Sequence, residues 1–422
     1  MTNLFQRPYI LNHNVLLGKW PESSSELSQS IAGNSGNSFI GYSVARQLGQ
    51  KMISGIGNIH GYRWDNVNNK ELHRIRENHD CLVLLFQTHV SVGEYDYGLS
   101  LDYDGLIKFI DSTHLPLVIP SLGIGPMKSG LEDFVRLIPE ERKDFFRRLS
   151  KRTINLGVRG EITGEVLRKI GIPNTIPIGC PSFFYNGASV PTGLYGPVQH
   201  KTKKLRLAFT SDTLIAKYIQ GAAFAGGVEI VMQDEMDVVG PLLFGEQIKE
   251  LRPVALAEKL VFGQIRFFAS PKDWVDYYKG VDLAIGSRLH GAIAALQGGS
   301  RAVVFHDDMR TKEISDLLGL RRLPRVKAHT RLRTIYQNSA SFQSFEDARS
   351  NYTSAFTRYR QFMIDSGVDF KVDDEFTHPL NVASQFDSQK FERTSFGGMP
   401  KGLDRTKRIL GNLSRLRRKF LV

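Results

Sequence analysis

Apolar residues in this chain gather in short runs separated by longer amphipathic stretches, and the spacing changes from run to spacer in a regular way. In the first half Met52–Asn58, Cys81–Phe86, Leu115–Ile119, Ile154–Val158 and Thr175–Ile178 are continuous enough and short enough to be buried strands. Between them Ser38–Leu48, Asn69–Asn78, Tyr103–Ile110, Pro139–Ser150 and the stretch from Val166 carry helical spacing. Residues 1–32, with a Ser-rich piece from Ser23 to Ser30, read as an irregular approach.

Ser189–Lys204 is rich in Gly, Pro and Lys and is the predicted linker. A fresh series follows it, with Leu205–Phe209, Val228–Met232, Ile265–Phe268, Val281–Ile285 and Ala302–Phe305 as strands separated by helical spacers. Strands alternating with helices mean parallel, doubly wound sheets. The expected fold class is therefore α/β, with two Rossmann-like domains (1–188 and 205–335) facing a cleft. A helical extension (336–380) and a polar segment ending in a basic amphipathic helix (381–422) complete the chain. Within the extension Tyr352, Phe356, Tyr359 and Met363 recur at helical spacing, a stripe that reads as packing.

Length supports two domains, since 422 residues exceed a typical single one. Met1–Trp20 has no apolar signal core, and no run approaches membrane-spanning length, which leads to the expectation of a cytoplasmic protein. Cys81 and Cys180 each sit in an apolar run and read as reduced, structural thiols. The formal net charge of +12 raises a nucleic-acid partner, but +7 of it comes from Lys401–Val422, where eight Lys or Arg face one Asp. The remainder is close to balanced, so no nucleic-acid partner is expected. From residue 403 to 422, Ile409, Leu413, Leu416 and Phe420 form one apolar stripe flanked by Arg408, Arg415, Arg418 and Lys419. Such a helix can lie on an anionic membrane surface or dock on the protein body.

Candidate chemistry concentrates at Gly286-Ser287-Arg288-Leu289-His290-Gly291, between the apolar run Val281–Ile285 and an Ala-rich helix that closes at Gly298-Gly299. In an open parallel sheet ligands sit beyond the carboxyl ends of the strands, where these residues fall. A helix N-terminus and the planar fork of Arg288 describe an anion site, and His290 adds a group that can carry a proton. The plainer reading makes Arg288 a surface residue and His290 a helix cap. Arg159 emerges from the strand Ile154–Val158 toward the same crevice, unless it pairs with Glu161 or Glu165. Gly33-Asn34-Ser35-Gly36-Asn37 opens a helix and permits close backbone approach to an anion or sugar, or serves as a simple turn. Asp307 and Arg310 lie just past a strand end, as cleft-lining groups or as a helix cap with local ion pairs. No Asp/Glu/His spacing demands a metal, and no cofactor is called for.

The Gly286–Gly291 motif with its flanking strand, helix and second strand resembles the polysaccharide pyruvyl transferase family, whose most recognisable feature is an Arg-Leu-His at this point. The Arg159 strand and the glycine loop at Gly33–Asn37 are similar to two further family features, although Asn37 stands where the family has Asp and Gln87-Thr88-His89 follows a strand where the family has glycines. The resemblance implies a GT-B-like fold and transfer of pyruvate from phosphoenolpyruvate to two hydroxyls of a sugar, as a cyclic ketal. It implies Arg159, Arg288 and the motif backbone as donor-binding, His290 as the acid, and Gly33, Asn34, Gly36 and Asn37 on the acceptor side. Asp307 and Glu161 are candidates for the base by position, and a lipid-carried acceptor would suit the basic tail. A nucleotide-sugar glycosyltransferase, or a non-catalytic scaffold held by that tail, are the alternatives.

Overall fold

The computed structural model describes residues 4–92, 101–127, 130–195, 206–210, 227–234, 264–306, 308–324 and 332–383, together with 236, 239, 243 and 244. The first sheet contains β1 (Pro8–Leu11), β2 (Gly55–Ile56), β3 (Cys81–Leu84), β4 (Leu117–Leu122), β5 (Leu156–Val158) and β6 (Thr175–Pro177). Its order is β2-β1-β3-β4-β5-β6, and every pairing is parallel. The second contains β7 (Arg206–Thr210), β8 (Gly227–Met232), β9 (Gln264–Phe267), β10 (Leu283–Gly286), β11 (Arg301–His306) and β12 (Arg322–Pro324). Its order is β12-β11-β10-β7-β8-β9, again all parallel. Both sheets are doubly wound, reversing direction between β1 and β3 in the first and between β7 and β10 in the second. Two such α/β units facing a cleft form the GT-B-like arrangement.

Strands with apolar residues on both faces must be covered twice, and the covering elements bind the two lobes together. Helix Ser35–Gln47 is buried along most of its length. Phe39 on it meets Tyr185 at a ring separation of 5.5 Å and Trp274, in the second lobe, at 5.9 Å. Gly41 lets this helix ride directly on the His13 carbonyl, where any side chain would collide. The helix thus packs against both lobes.

Helix Phe345–Asp365 packs on the first lobe and against helix Met309–Leu318 of the second. Tyr359 stacks on Phe184 at 5.2 Å and donates to Gln47 Oε1 at 2.7 Å, and Tyr352 donates to the Gly187 carbonyl at 2.7 Å. Aromatic pairs of this kind add about 1 kcal/mol each beyond the area they bury. The stripe is packing, with its polar ends satisfied. Only the first part of the expected linker is described, and residues 403–422 lie outside the described residues. Among the described residues no helix is long and apolar enough to cross a membrane.

Candidate active site

The strand ends at both reversals open into one cavity of about 680 Å3. From β1 and β3 it receives Asn12, Asn14, Gln87, Thr88 and His89; from β5, Arg159; from β8 and β10, Gln233, Asp234, Ser287, Arg288, Leu289 and His290. A cavity at the switch points of two facing sheets is where this architecture places ligands.

Arg159 and Arg288 therefore face the same space. Arg159 is only 2% exposed, and its Nε and Nη2 have no hydrogen-bond partner. Burial lowers its pKa below the usual guanidinium value; Arg310 adds to this, while Cys180 and Glu313 oppose it. A buried guanidinium with open donors is costly unless an anion completes it. Arg310, just after β11, also lines the cavity and pairs with Asp308 at 3.5 Å. Arg288 occupies the N-cap position of helix Leu289–Gln297 and is held by Asp234 at 2.6 Å.

His290 lines the cavity and is buried, with Nε2 3.6 Å from Cys180 Sγ. Burial, reinforced by Arg159 and Arg310, holds its pKa well below the ordinary imidazole value. That depression favours the neutral ring in the ligand-free protein. A negative charge placed beside both guanidinium groups would offset them and raise that pKa.

The glycine loop comes to the same place. Gly33, Asn34 and Asn37 line the cavity, while Gly36 is wedged against His290 Nδ1, so that a Cβ there would overlap the ring. Asn34 accepts from the Gly36 amide at 2.8 Å and from Gln233 Nε2 at 2.9 Å, and the Ser35 amide donates to the Gln233 carbonyl at 3.0 Å. These bonds fasten the first-lobe loop to the end of β8.

Other expected residues fall differently. Gly286 and Gly291 shape the backbone without lining the cavity, and Asp307 lies outside the described residues. Glu161 is exposed and away from the cavity. The reason is local: Glu313 fills the space beside Gly160 and takes the Thr163 amide at 2.9 Å and its hydroxyl at 2.6 Å, so the helix Glu161–Lys169 is capped from another element. Burial raises the Glu313 pKa to about 7, against the lowering effect of Thr163 and Arg159. Sequence reading missed Glu313, His60 and His89, none of which sits in a motif. Among the described residues no three His, Cys, Asp or Glu side chains converge to hold a metal ion.

Among solved structures, the chain is similar to that of accessory secretory protein 1, 2 and 3 in Streptococcus pneumoniae at 10% identity and TM-score 0.34, covering 73% of this chain and 54% of that one. It is also similar to the UDP-GlcNAc 2-epimerase of Neisseria meningitidis bound to UDP-GlcNAc, at 9% identity and TM-score 0.36, covering 79% and 84%. A third likeness is to the S. aureus MnaA–UDP structure, at 9% identity and TM-score 0.35, covering 89% and 94%. No curated protein matches the chain in sequence. The polysaccharide pyruvyl transferase family model matches residues 34–305, a span that begins in the glycine loop, contains Arg159 and the Arg288–His290 motif, and ends in β11. The chain belongs to the polysaccharide pyruvyl transferase family.

Proposed function

We propose that the donor is phosphoenolpyruvate and that the cavity transfers its pyruvyl unit to a sugar diol of a surface glycan. The observation that carries this reading is Arg159, buried with two open nitrogen donors beside Arg310 and His290. A small ligand bearing both a phosphate and a carboxylate satisfies several guanidinium groups at once, and Arg forks match both anions. The acceptor, lipid-linked, approaches from the first-lobe side, and residues 403–422 contact an anionic membrane peripherally.

The chemistry follows from the charges. Donor binding raises the affinity of His290 for a proton, which passes to the methylene carbon and makes it a methyl group. One sugar hydroxyl adds to the adjacent carbon, the bond from that carbon to the phosphate oxygen breaks, and the second hydroxyl closes the ketal. Of the two hydroxyl protons released, one replaces that delivered to the methyl group and the other leaves with phosphate. Fixed guanidinium charge around the departing phosphate stabilises the transition state without reorganisation.

The test is incubation of the protein with glycan from a strain that lacks it, using phosphoenolpyruvate or sugar nucleotides as donor. Release of inorganic phosphate from phosphoenolpyruvate alone supports the reading. Release of nucleoside diphosphate instead overturns it.

A further inference from the structure

We infer that the stacked imidazoles of His60 and His89 are the proton acceptor for the attacking sugar hydroxyl, an assignment that rests on the transfer reading above. The two rings line the cavity, their centroids are 5.0 Å apart, and Nε2 of one lies 3.0 Å from Nε2 of the other. One proton shared between two imidazoles leaves the pair able to take up another.

Three features put the acceptor here. First, the cavity offers no better base among its described lining residues: the single carboxylate, Asp234, is committed to Arg288 at 2.6 Å, and position 37 is an Asn. Second, buried polar atoms around the pair are left open. Gln87 Nε2, Asn14 Oδ1 and His89 Nδ1 have no partner, although these residues are at most 5% exposed. Buried amides are ordinarily paired, so this cluster suits a neutral ligand rich in hydroxyls, such as a pyranose ring. Third, His60 also lines an adjoining groove with Asn58, Tyr62, Arg63 and Asn66, which gives the remainder of a glycan chain a way out of the cavity. Burial lowers the pKa of both rings, and for His89 the neighbouring His60, Arg159 and Arg142 lower it further, so a proton taken from the hydroxyl is held only briefly.

In the reaction the hydroxyl oxygen forms its bond to the electrophilic donor carbon while its proton moves to the imidazole pair, which becomes a monocation. The pair then returns that proton to the departing phosphate.

The experiment compares the wild-type protein with His60→Gln and His89→Gln, following phosphate release from phosphoenolpyruvate in the presence of glycan extracted from a strain lacking the protein. Thermal stabilisation by phosphoenolpyruvate reports an intact donor site in each form. Glutamine keeps a hydrogen-bonding side chain but has no basicity, so a merely structural role would survive the change. The expected result is preserved donor stabilisation with a loss of transfer on the order of 100-fold, the usual worth of a positioned base. A donor-stabilised His60→Gln protein that transfers at more than half the wild-type rate overturns the inference, and this variant suffices because His60 is the less buried ring. Absence of transfer by the wild-type protein fails the donor reading itself, a result separable from loss in the variants alone.

Discussion

Gly36 packs directly against the Nδ1 edge of His290, leaving no room for a methyl group between them. A Cβ at this position would also lie 2.7 Å from Gln233 Nε2 and 2.9 Å from Asn34 Oδ1. The N-terminal loop and the Arg288–His290 motif, far apart in the chain, are therefore one surface.

Gly36→Ala tests that surface. Alanine is the better helix former, so helix Ser35–Gln47 itself should not suffer. The His290 ring and the Gln233 and Asn34 amides beside it must move instead, and misplacement of a reacting group by about 1 Å costs on the order of 100-fold in rate. The expected outcome is a fall in kcat of that order with little change in melting temperature, measured by phosphate release and by thermal unfolding.

Arg159→Met separates function from stability. The guanidinium is buried with two open donors and only partly offset by Glu313, so replacing it with an apolar side chain of similar volume removes more desolvation cost than attraction. The ligand-free variant should melt several degrees higher than wild type, while stabilisation by phosphoenolpyruvate disappears. A lower melting temperature would mean that Arg159 supports the fold.

Proton uptake on donor binding follows from the position of His290. Its pKa is held well below the ordinary value by burial and by Arg159 and Arg310. Once the donor's negative charge offsets those guanidiniums the pKa rises, so the bound state takes up a proton. Calorimetry of phosphoenolpyruvate binding in buffers of different ionisation enthalpy should show this uptake, and His290→Gln should remove it.

How much of this was legible in sequence depends on whether chemistry and backbone signal coincide. The strands of the second lobe are readable as short continuous apolar runs, and the Arg288–His290 turn because the run Val281–Ile285 ends in Gly286. The strand Pro8–Leu11 was not: it is a four-residue run starting with Pro, and only its place between β2 and β3 makes it central. Helix Ser24–Ser30 has too little apolar content to show helical spacing, although its Leu27 is fully buried. His60, His89 and Glu313 carry no local signature, since only tertiary contact brings them to one cavity or under one helix end. Glu161, two residues after Arg159, is exposed and away from the cavity, whereas Glu313, supplied from the other lobe, takes the helix end.

Acid sensitivity should be pronounced. His13 is almost wholly buried, which lowers its pKa from 6.5 to about 4, and His60, His89 and His290 are depressed by burial as well. Below 6.5 the unfolded chain binds protons that the folded chain refuses, so stability is fully present above that pH and is lost as pH falls toward 4. For His13 alone the loss reaches about 3 kcal/mol. Thermal midpoints measured from pH 8 to pH 5 should fall steeply below 6.5, and His13→Gln should flatten that decline.

The central claim is that His290 delivers a proton to the methylene carbon of phosphoenolpyruvate held by Arg159, Arg288 and Arg310, and transfer in D2O tests it most directly. The expected product of the wild-type protein is a glycan ketal whose methyl group carries one deuterium, seen by NMR and mass spectrometry, with none formed by His290→Gln. Ketal formed by His290→Gln at the wild-type rate, or a ketal methyl without deuterium, would contradict it.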